Sequence, residues 1–312
     1  MTRVGAIDCG TNSIRLLIAD IDGGRLTDVV RRMEIVRLGQ GVDVTGAIAP
    51  EAMERTLRQA AEYAAQCREL GAERVRFVAT SASRDASNAS EFVAGIRSAF
   101  DGFDVEPEVV SGDEEAALSF TGATGDVIAA GARPPYLVVD LGGGSTELVR
   151  GDRTVEAARS VDIGCVRMTE RHLRSDPPTD TEIAGALSDI HAALDLAEQT
   201  VDLSGIGTLV GLAGSVTTIT AHALGLPAYD SSAIHGARLS VEAVHGACDD
   251  LLHRTRAERA ELGFMHPGRV DVIGAGALVW RTVVERLVDR SGITEVVASE
   301  KDILDGIALS IA

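Results

Sequence analysis

Apolar residues recur along this chain at two spacings. In "VGAIDCGTNSIRLLIADI" they form short runs on either side of a polar break, which predicts strand, tight turn, strand. A further short strand is expected over 29–38, leading into the Gly-rich "RLGQGV". From Pro50 the spacing changes. Met53, Leu57, Ala60, Ala64 and Cys67 recur every three or four positions, Pro50 suits a first helical turn and Gly71 supplies a stop, so a helix is expected over 50–70. "RVRFVAT" reads as a buried strand with "SASRDASN" as the loop after it. A helix over 91–99, the strand "EVVS" and a helix beginning in "SGDEEAALSFTG" follow. Around 122–135 the chain turns rich in Gly, Ala and Pro, the composition of a linker.

A second cycle then begins. "YLVVDLGGGSTELVRG" predicts another hairpin, with helices over 181–200, 215–224, 241–254 and 271–288, a strand over 294–298 and a closing helix from Asp302. Strands alternating with helices give α/β layers. The first hairpin lies on the second at a constant offset of 132 residues, which pairs Asp8 with Asp140, Gly10 with Gly142, Ser13 with Ser145 and Leu16 with Leu148. The expected organisation is two similar halves facing each other across a central cleft between the two turns. One spans 1–125 plus the closing segment, about 300–312; the other spans 126–299.

Composition narrows the function. The formal net charge is -18, and of 29 basic residues only Lys301 is a lysine. An acidic surface of this kind argues against non-specific DNA binding, and no GxxxxGK[ST] loop exists, which excludes a P-loop NTPase. A polyanionic substrate would have to be held by local devices: arginines, backbone amides, helix N-termini or a metal ion. No apolar run approaches the ~20 residues of a membrane span. The four cysteines form no CxxC pair and the N-terminus shows no signal-peptide pattern, so a cytoplasmic protein with reduced thiols is expected.

The two turns carry the candidate chemistry. Gly142, Gly143, Gly144 and Ser145, and likewise Gly10, Thr11, Asn12 and Ser13, can let successive N–H groups converge on phosphate oxygens. Asp8 and Asp140 end apolar strands, where an ionised carboxylate is costly unless paired or metal-bound. Glu147 lies in the returning strand on the face of Ser145. Asp140, Glu147 and Asp8 are therefore candidate ligands of Mg²⁺ or another divalent cation, which favours carboxylates beside phosphate.

"AIDCGTNSIRLLIA", "ATSASRDASN", "SGDEEAALSF", "VVDLGGGSTELV" and "GLAGSVTTIT" closely resemble, in order, the exopolyphosphatase/guanosine-pentaphosphate phosphohydrolase (Ppx/GppA) family. The likeness continues through "RVDVIGAGALV" and "DILDGIALS", with "DCGTNS" standing where the family usually shows DxGSNS. The resemblance implies two ribonuclease-H-like domains of the actin-like ATPase superfamily, in the short two-domain type. It also implies Mg²⁺ dependence and hydrolysis of a terminal phosphate from inorganic polyphosphate or pppGpp, and it allows a homodimer.

Hydrolysis of a phosphoanhydride needs a positioned water and neutralised charge on the transferred group. Ser111 and Glu114 fit an S-x-x-E capping box, which leaves Glu115 free, and the resemblance points to Glu115 as the water-activating base. Arg84, after a buried strand and a Ser/Thr-rich bend, is the catalytic arginine expected to grip phosphate, with Arg15 a weaker candidate. Gly214 and Ser215 open a helix that favours an anion further along the substrate. Exopolyphosphatase activity ranks first and pppGpp hydrolysis second. A sugar kinase would need a catalytic aspartate where "SGDEEA" supplies a glutamate, and the retention of Glu115, Asp140, Glu147 and Arg84 argues against a non-catalytic polyphosphate or alarmone sensor.

Overall fold

The structure, a computed structural model, describes residues 1–23, 25–79, 83–84, 86–103 and 105–311. Residues 81, 82 and 85 of the expected "SASRDASN" loop lie outside the described residues. The chain divides into two units: Met1–Gly122 with Ile303–Ala312, and Ala123–Asp302.

The first unit is built on β1 (Thr2–Cys9), β2 (Ser13–Asp22), β3 (Arg25–Ile35), β4 (Arg74–Ala79) and β5 (Glu108–Val109). Their order is β3-β2-β1-β4-β5, with β1 antiparallel to β2 and parallel to β4. Alternation of side chains divides the strands between two cores. Ile7, Cys9, Ile14, Leu16 and Ile18 face one, filled by α2 (Pro50–Glu69) and α3 (Ala89–Ala99). Phe77 stacks there against Phe92 and Phe100 at centroid distances of 6.3 and 5.7 Å. Pairs of this kind add ~0.5–1.5 kcal/mol each beyond burial. Val4, Ala6, Leu17 and Ala19 face the other core, covered by the closing helix, Ile303–Ser310. A Cβ on Gly306 of that helix would lie 2.0 Å from the Leu118 carbonyl, so glycine sets how closely the helix packs. Edge strand β3 carries Arg25, Asp28, Arg31, Arg32 and Glu34, charges that discourage edge-to-edge pairing. Its Arg31 holds the buried Asp305 of the closing helix at 2.6 Å. A four-residue helix, α1, spans Val42–Thr45.

Helix α4, Gly112–Ala129, carries the chain from the first unit into the second. It runs through much of the stretch expected as a linker. Phe120, Ala123 and Val127 bury at helical spacing, and that packing outweighs the ~1 kcal/mol cost of Gly122 and Gly125.

The second unit repeats the first sheet and extends it. Its strands are β6 (Tyr136–Leu141), β7 (Thr146–Gly151), β8 (Val155–Val161), β9 (Thr208–Leu212), β10 (Arg238–Ser240) and β11 (Glu295–Ala298). The order β10-β11-β9-β6-β7-β8 contains the first unit's pattern read from its far edge, with β10 added. The helices are α5 (Cys165–Arg171), α6 (Asp180–Glu198), α7 (Ala213–Ala223), α8 (Ser231–Ile234), α9 (Val241–His253), α10 (Arg256–Ala260) and α11 (Ile273–Ser291), with the closing helix as α12. A large core gathers Leu137, Val139, Leu148, Ile190, Ile219 and Trp280. Strand β8 and helix α5 went unread in the sequence. β8 is an edge strand, exposed at Val155 and only half-buried over most of the rest, so it lacks a clean apolar alternation.

Candidate active site

Each unit presents the same turn at the same place in its sheet. In the first, the Gly10 N–H donates to the Ser13 carbonyl at 2.9 Å; in the second, the Gly142 N–H donates to the Ser145 carbonyl at 3.0 Å. The remaining turn carbonyls are held from behind by the segment that follows the third strand. Thr11 accepts from the Gly39 N–H at 2.8 Å, and Asn12 accepts from those of Val36 and Arg37 at 3.0 and 2.8 Å. In the second unit Gly142 accepts from Cys165 at 3.0 Å, Gly143 from Val166 at 2.9 Å, and Gly144 from Gly164 at 3.2 Å. Arg167 adds its Nε to the Gly144 carbonyl at 2.8 Å. In a planar trans peptide the N–H points opposite to the C=O. The amides of Gly143, Gly144 and Ser145, and of Asn12 and Ser13, are therefore directed away from these supports, as an anion nest requires. Gly164 makes the close support possible: a Cβ there would meet the Gly143 backbone at 2.2 Å.

Strand register then separates the two turns. Asp8 pairs across β1–β2 with Arg15, while Asp140 pairs across β6–β7 with Glu147. Directly opposed residues share one face of the sheet. Asp8, which the sequence grouped with the metal ligands, is gripped by Arg15 through Nε at 2.9 Å and Nη2 at 2.5 Å. Arg15, expected on phosphate, directs its guanidinium to that carboxylate. Asp140 and Glu147 are 6% and 1% exposed, and Glu147 accepts from Ser160 Oγ at 2.7 Å. Two carboxylates opposed on one face repel unless something positive joins them.

Helix α4 positions the candidate base. The Glu115 N–H donates to the Ser111 carbonyl at 2.9 Å, and the residue is 7% exposed. The Arg84 Nη1 stands 3.7 Å from Glu115 Oε2 and donates to the Val110 carbonyl at 2.9 Å. Glutamate and arginine thus sit together inside one unit. The expected capping box is only half made. Ser111 Oγ accepts from the Glu114 N–H at 3.2 Å, but the Glu114 carboxylate pairs with Arg76 at 2.7 Å and does not return to the N-cap. Asp113, Glu114 and Glu115 fill the first turn, where a helix dipole favours negative charge.

Gly214 and Ser215 stand at the head of α7, after an elbow where Ala213 has φ 66°. A left-handed non-glycine residue costs ~1–2 kcal/mol. Ser215 is buried and hydrogen-bonded to the buried Cys165 thiol at the head of α5, which links this helix to the glycine turn. Arg269, which no sequence argument selected, donates to the Gly214 carbonyl at 3.1 Å and to Thr218 Oγ1 at 3.2 Å. Its signal was its place at the head of "RVDVIGAGALV", but lone arginines in loops are common. Among the described residues no three His, Cys, Asp or Glu side chains gather as a group that would hold a metal ion by themselves. No described helix is long and apolar enough to cross a membrane.

The likeness to known proteins is extensive. Exopolyphosphatase 2 of Mycobacterium tuberculosis is 51% identical over all of this chain and 99% of its own length. A crystal structure described as an exopolyphosphatase-like protein superposes with a TM-score of 0.96 at 47% identity, covering 100% of this chain and 98% of its own. A guanosine-5'-triphosphate,3'-diphosphate pyrophosphatase of Vibrio cholerae is 33% identical over 69% of this chain and 42% of its own length. The two α/β units have the actin-like ATPase fold. With the Ppx/GppA phosphatase family matching residues 17–311, the chain is a member of that family.

Proposed function

We propose that this chain is an exopolyphosphatase, hydrolysing the terminal phosphoanhydride bond of inorganic polyphosphate to release orthophosphate. The observation that carries this reading is the buried Glu115 beside Arg84 at the head of α4. The full-length likeness to a protein named an exopolyphosphatase supports the choice of substrate. In the proposed reaction Glu115 takes a proton from water as the water oxygen bonds to the terminal phosphorus. The bridging P–O bond breaks and its electron pair leaves with the shortened chain. Arg84 grips the transferred group beside Glu115 within the first unit.

The donor set suits Mg²⁺ or another divalent ion. Asp140 and Glu147 oppose each other in register and buried, beside amides directed at an anion. Two carboxylates completed by waters and phosphate oxygens make a usual Mg²⁺ shell. A cation held there would neutralise charge on the phosphoryl group. Asp8 is the weaker ligand, because Arg15 already matches its charge.

A second reading, removal of the 5′-γ-phosphate of pppGpp, is favoured by the Vibrio relative. Phosphate release from purified polyphosphate and pppGpp, measured side by side with Mg²⁺ and with chelator, separates the two. Faster release from polyphosphate, abolished by chelator, is expected; release from pppGpp alone overturns the ranking. We infer a cytoplasmic setting from the four buried free thiols.

A further inference from the structure

Helix α4 joins the candidate base to a polar cluster that the proposed reaction does not use. Glu115 lies in its first turn, and Asp126 lies about 16 Å further along the helix axis. Asp126 Oδ2 accepts from Lys301 Nζ at 2.7 Å and from His235 Nε2 at 3.0 Å. The other ring nitrogen sets the His235 tautomer. Nδ1 accepts the Glu300 N–H at 3.2 Å, so in the neutral ring the proton sits on Nε2 and is donated to Asp126. Lys301, the only lysine in the chain, is itself held in place. Ser299 Oγ accepts the Lys301 N–H at 3.1 Å and donates to the Lys301 carbonyl at 2.7 Å. The Ser299 N–H donates to the Gly211 carbonyl of β9 at 2.9 Å, and the Gly236 N–H to the Ala298 carbonyl of β11 at 2.8 Å. Two donors rooted at the end of one sheet therefore converge on a single carboxylate oxygen. The Lys301 ammonium, more than His235, keeps the Asp126 carboxyl below its ordinary value. Ala123, Thr124 and Val127 bury around it, and such small side chains make few contacts with which to fix a helix's rotation.

We propose that Asp126, His235 and Lys301 are positioning residues, which clamp the tail of α4 to the second unit's sheet and so fix the setting of Glu115 at its head. The inference rests on the reading of Glu115 as the base. The pairs are partly exposed, so each is worth only a few-fold in an equilibrium, and the expected effects are of that size.

The test combines hydrogen–deuterium exchange along α4 of the full chain with steady-state phosphate release, folding being checked by circular dichroism. Asp126→Ala and Lys301→Met should each speed amide exchange over 116–120 by about three- to tenfold. Each should lower kcat by a similar factor, with KM within about twofold of wild type. Lys301→Arg, which keeps the charge, should behave as wild type. Faster exchange confined to 126–131, with 116–120 unchanged, overturns the proposal. An unchanged kcat in both charge-removing variants also overturns it, as does a Lys301→Arg no better than Lys301→Met. If wild type releases phosphate from neither polyphosphate nor pppGpp, the hydrolase reading falls, and the exchange pattern alone decides whether the clamp reaches the head of α4.

Discussion

Arg84 and Glu115 lie together in the first unit, 3.7 Å apart, and their roles separate by measurement. Arg84 is anchored through the Val110 carbonyl, which fixes the orientation of its guanidinium. Arg84→Ala should weaken polyphosphate binding by ~1.5–3 kcal/mol, the scale of a hydrogen bond to a charged group, and should lower the rate as well. Calorimetric affinity equal to that of wild type would show that the guanidinium does not touch substrate. At this scale the sequence was informative about residue type and less so about partners. Both glycine turns were legible from motif and spacing, while Glu115 and Arg84 were singled out with the help of the family resemblance. The Asp8–Arg15 pair was not, because seven positions along the chain become direct neighbours only once the β1–β2 register is known. Arg269 was missed for a related reason: its placement on Gly214 and Thr218 depends on a contact across more than 50 residues.

Among the elements, the glycine turn of the second unit depends on α5 as much as on its own glycines. Gly164→Ala would drive a Cβ into the Gly143 backbone, and backbone cannot yield as a flexible side chain would. A loss of ~1–3 kcal/mol is expected, typical of overpacking, together with a raised KM for polyphosphate as the amides shift. Gly246→Ala in α9 is the matched control. Its Cβ meets nothing within 4 Å, and alanine should stabilise that helix by ~0.5–1 kcal/mol in a urea melt. Helix α6 offers a pH test. Glu182 completes a capping box with Thr179, and accepting the Thr179 and Ser175 amides lowers its carboxyl from 4.5 to about 2. A depressed carboxyl contributes stability above its unfolded value and loses it as pH falls through the folded one. The melting-temperature gap between wild type and Glu182→Gln should therefore be full at pH 7, and should close between about pH 4.5 and 2. A gap independent of pH would mean that the carboxylate charge plays no part. The elements themselves were largely legible, because most strands are buried runs and most helices have an apolar face. The failures were local. Helix α4 overrode two glycines through packing, and β8 was hidden by its exposure at the sheet edge.

For the whole molecule, the repeated sheet order reflects the internal repeat visible at the two hairpins; the repeat made two similar α/β halves legible from sequence, and the family resemblance supplied the actin-like fold. The four cysteines are all buried, and burial pushes the Cys67 thiol up to about 12. Ellman's reagent at pH 8 should find no fast-reacting thiol in the native protein and four in denaturant. Rapid labelling of the native protein would contradict this burial. The net charge of -18 makes the chain an unpromising receiver for a polyanion except where amides and arginines gather, so activity should depend on those groups. The central claim is that Glu115 activates the attacking water, and pre-steady-state phosphate release by Glu115→Gln with Mg²⁺ and saturating polyphosphate tests it most directly. The substitution should lower kcat about 10²–10⁴-fold with substrate affinity preserved. Turnover within a few-fold of wild type would contradict it.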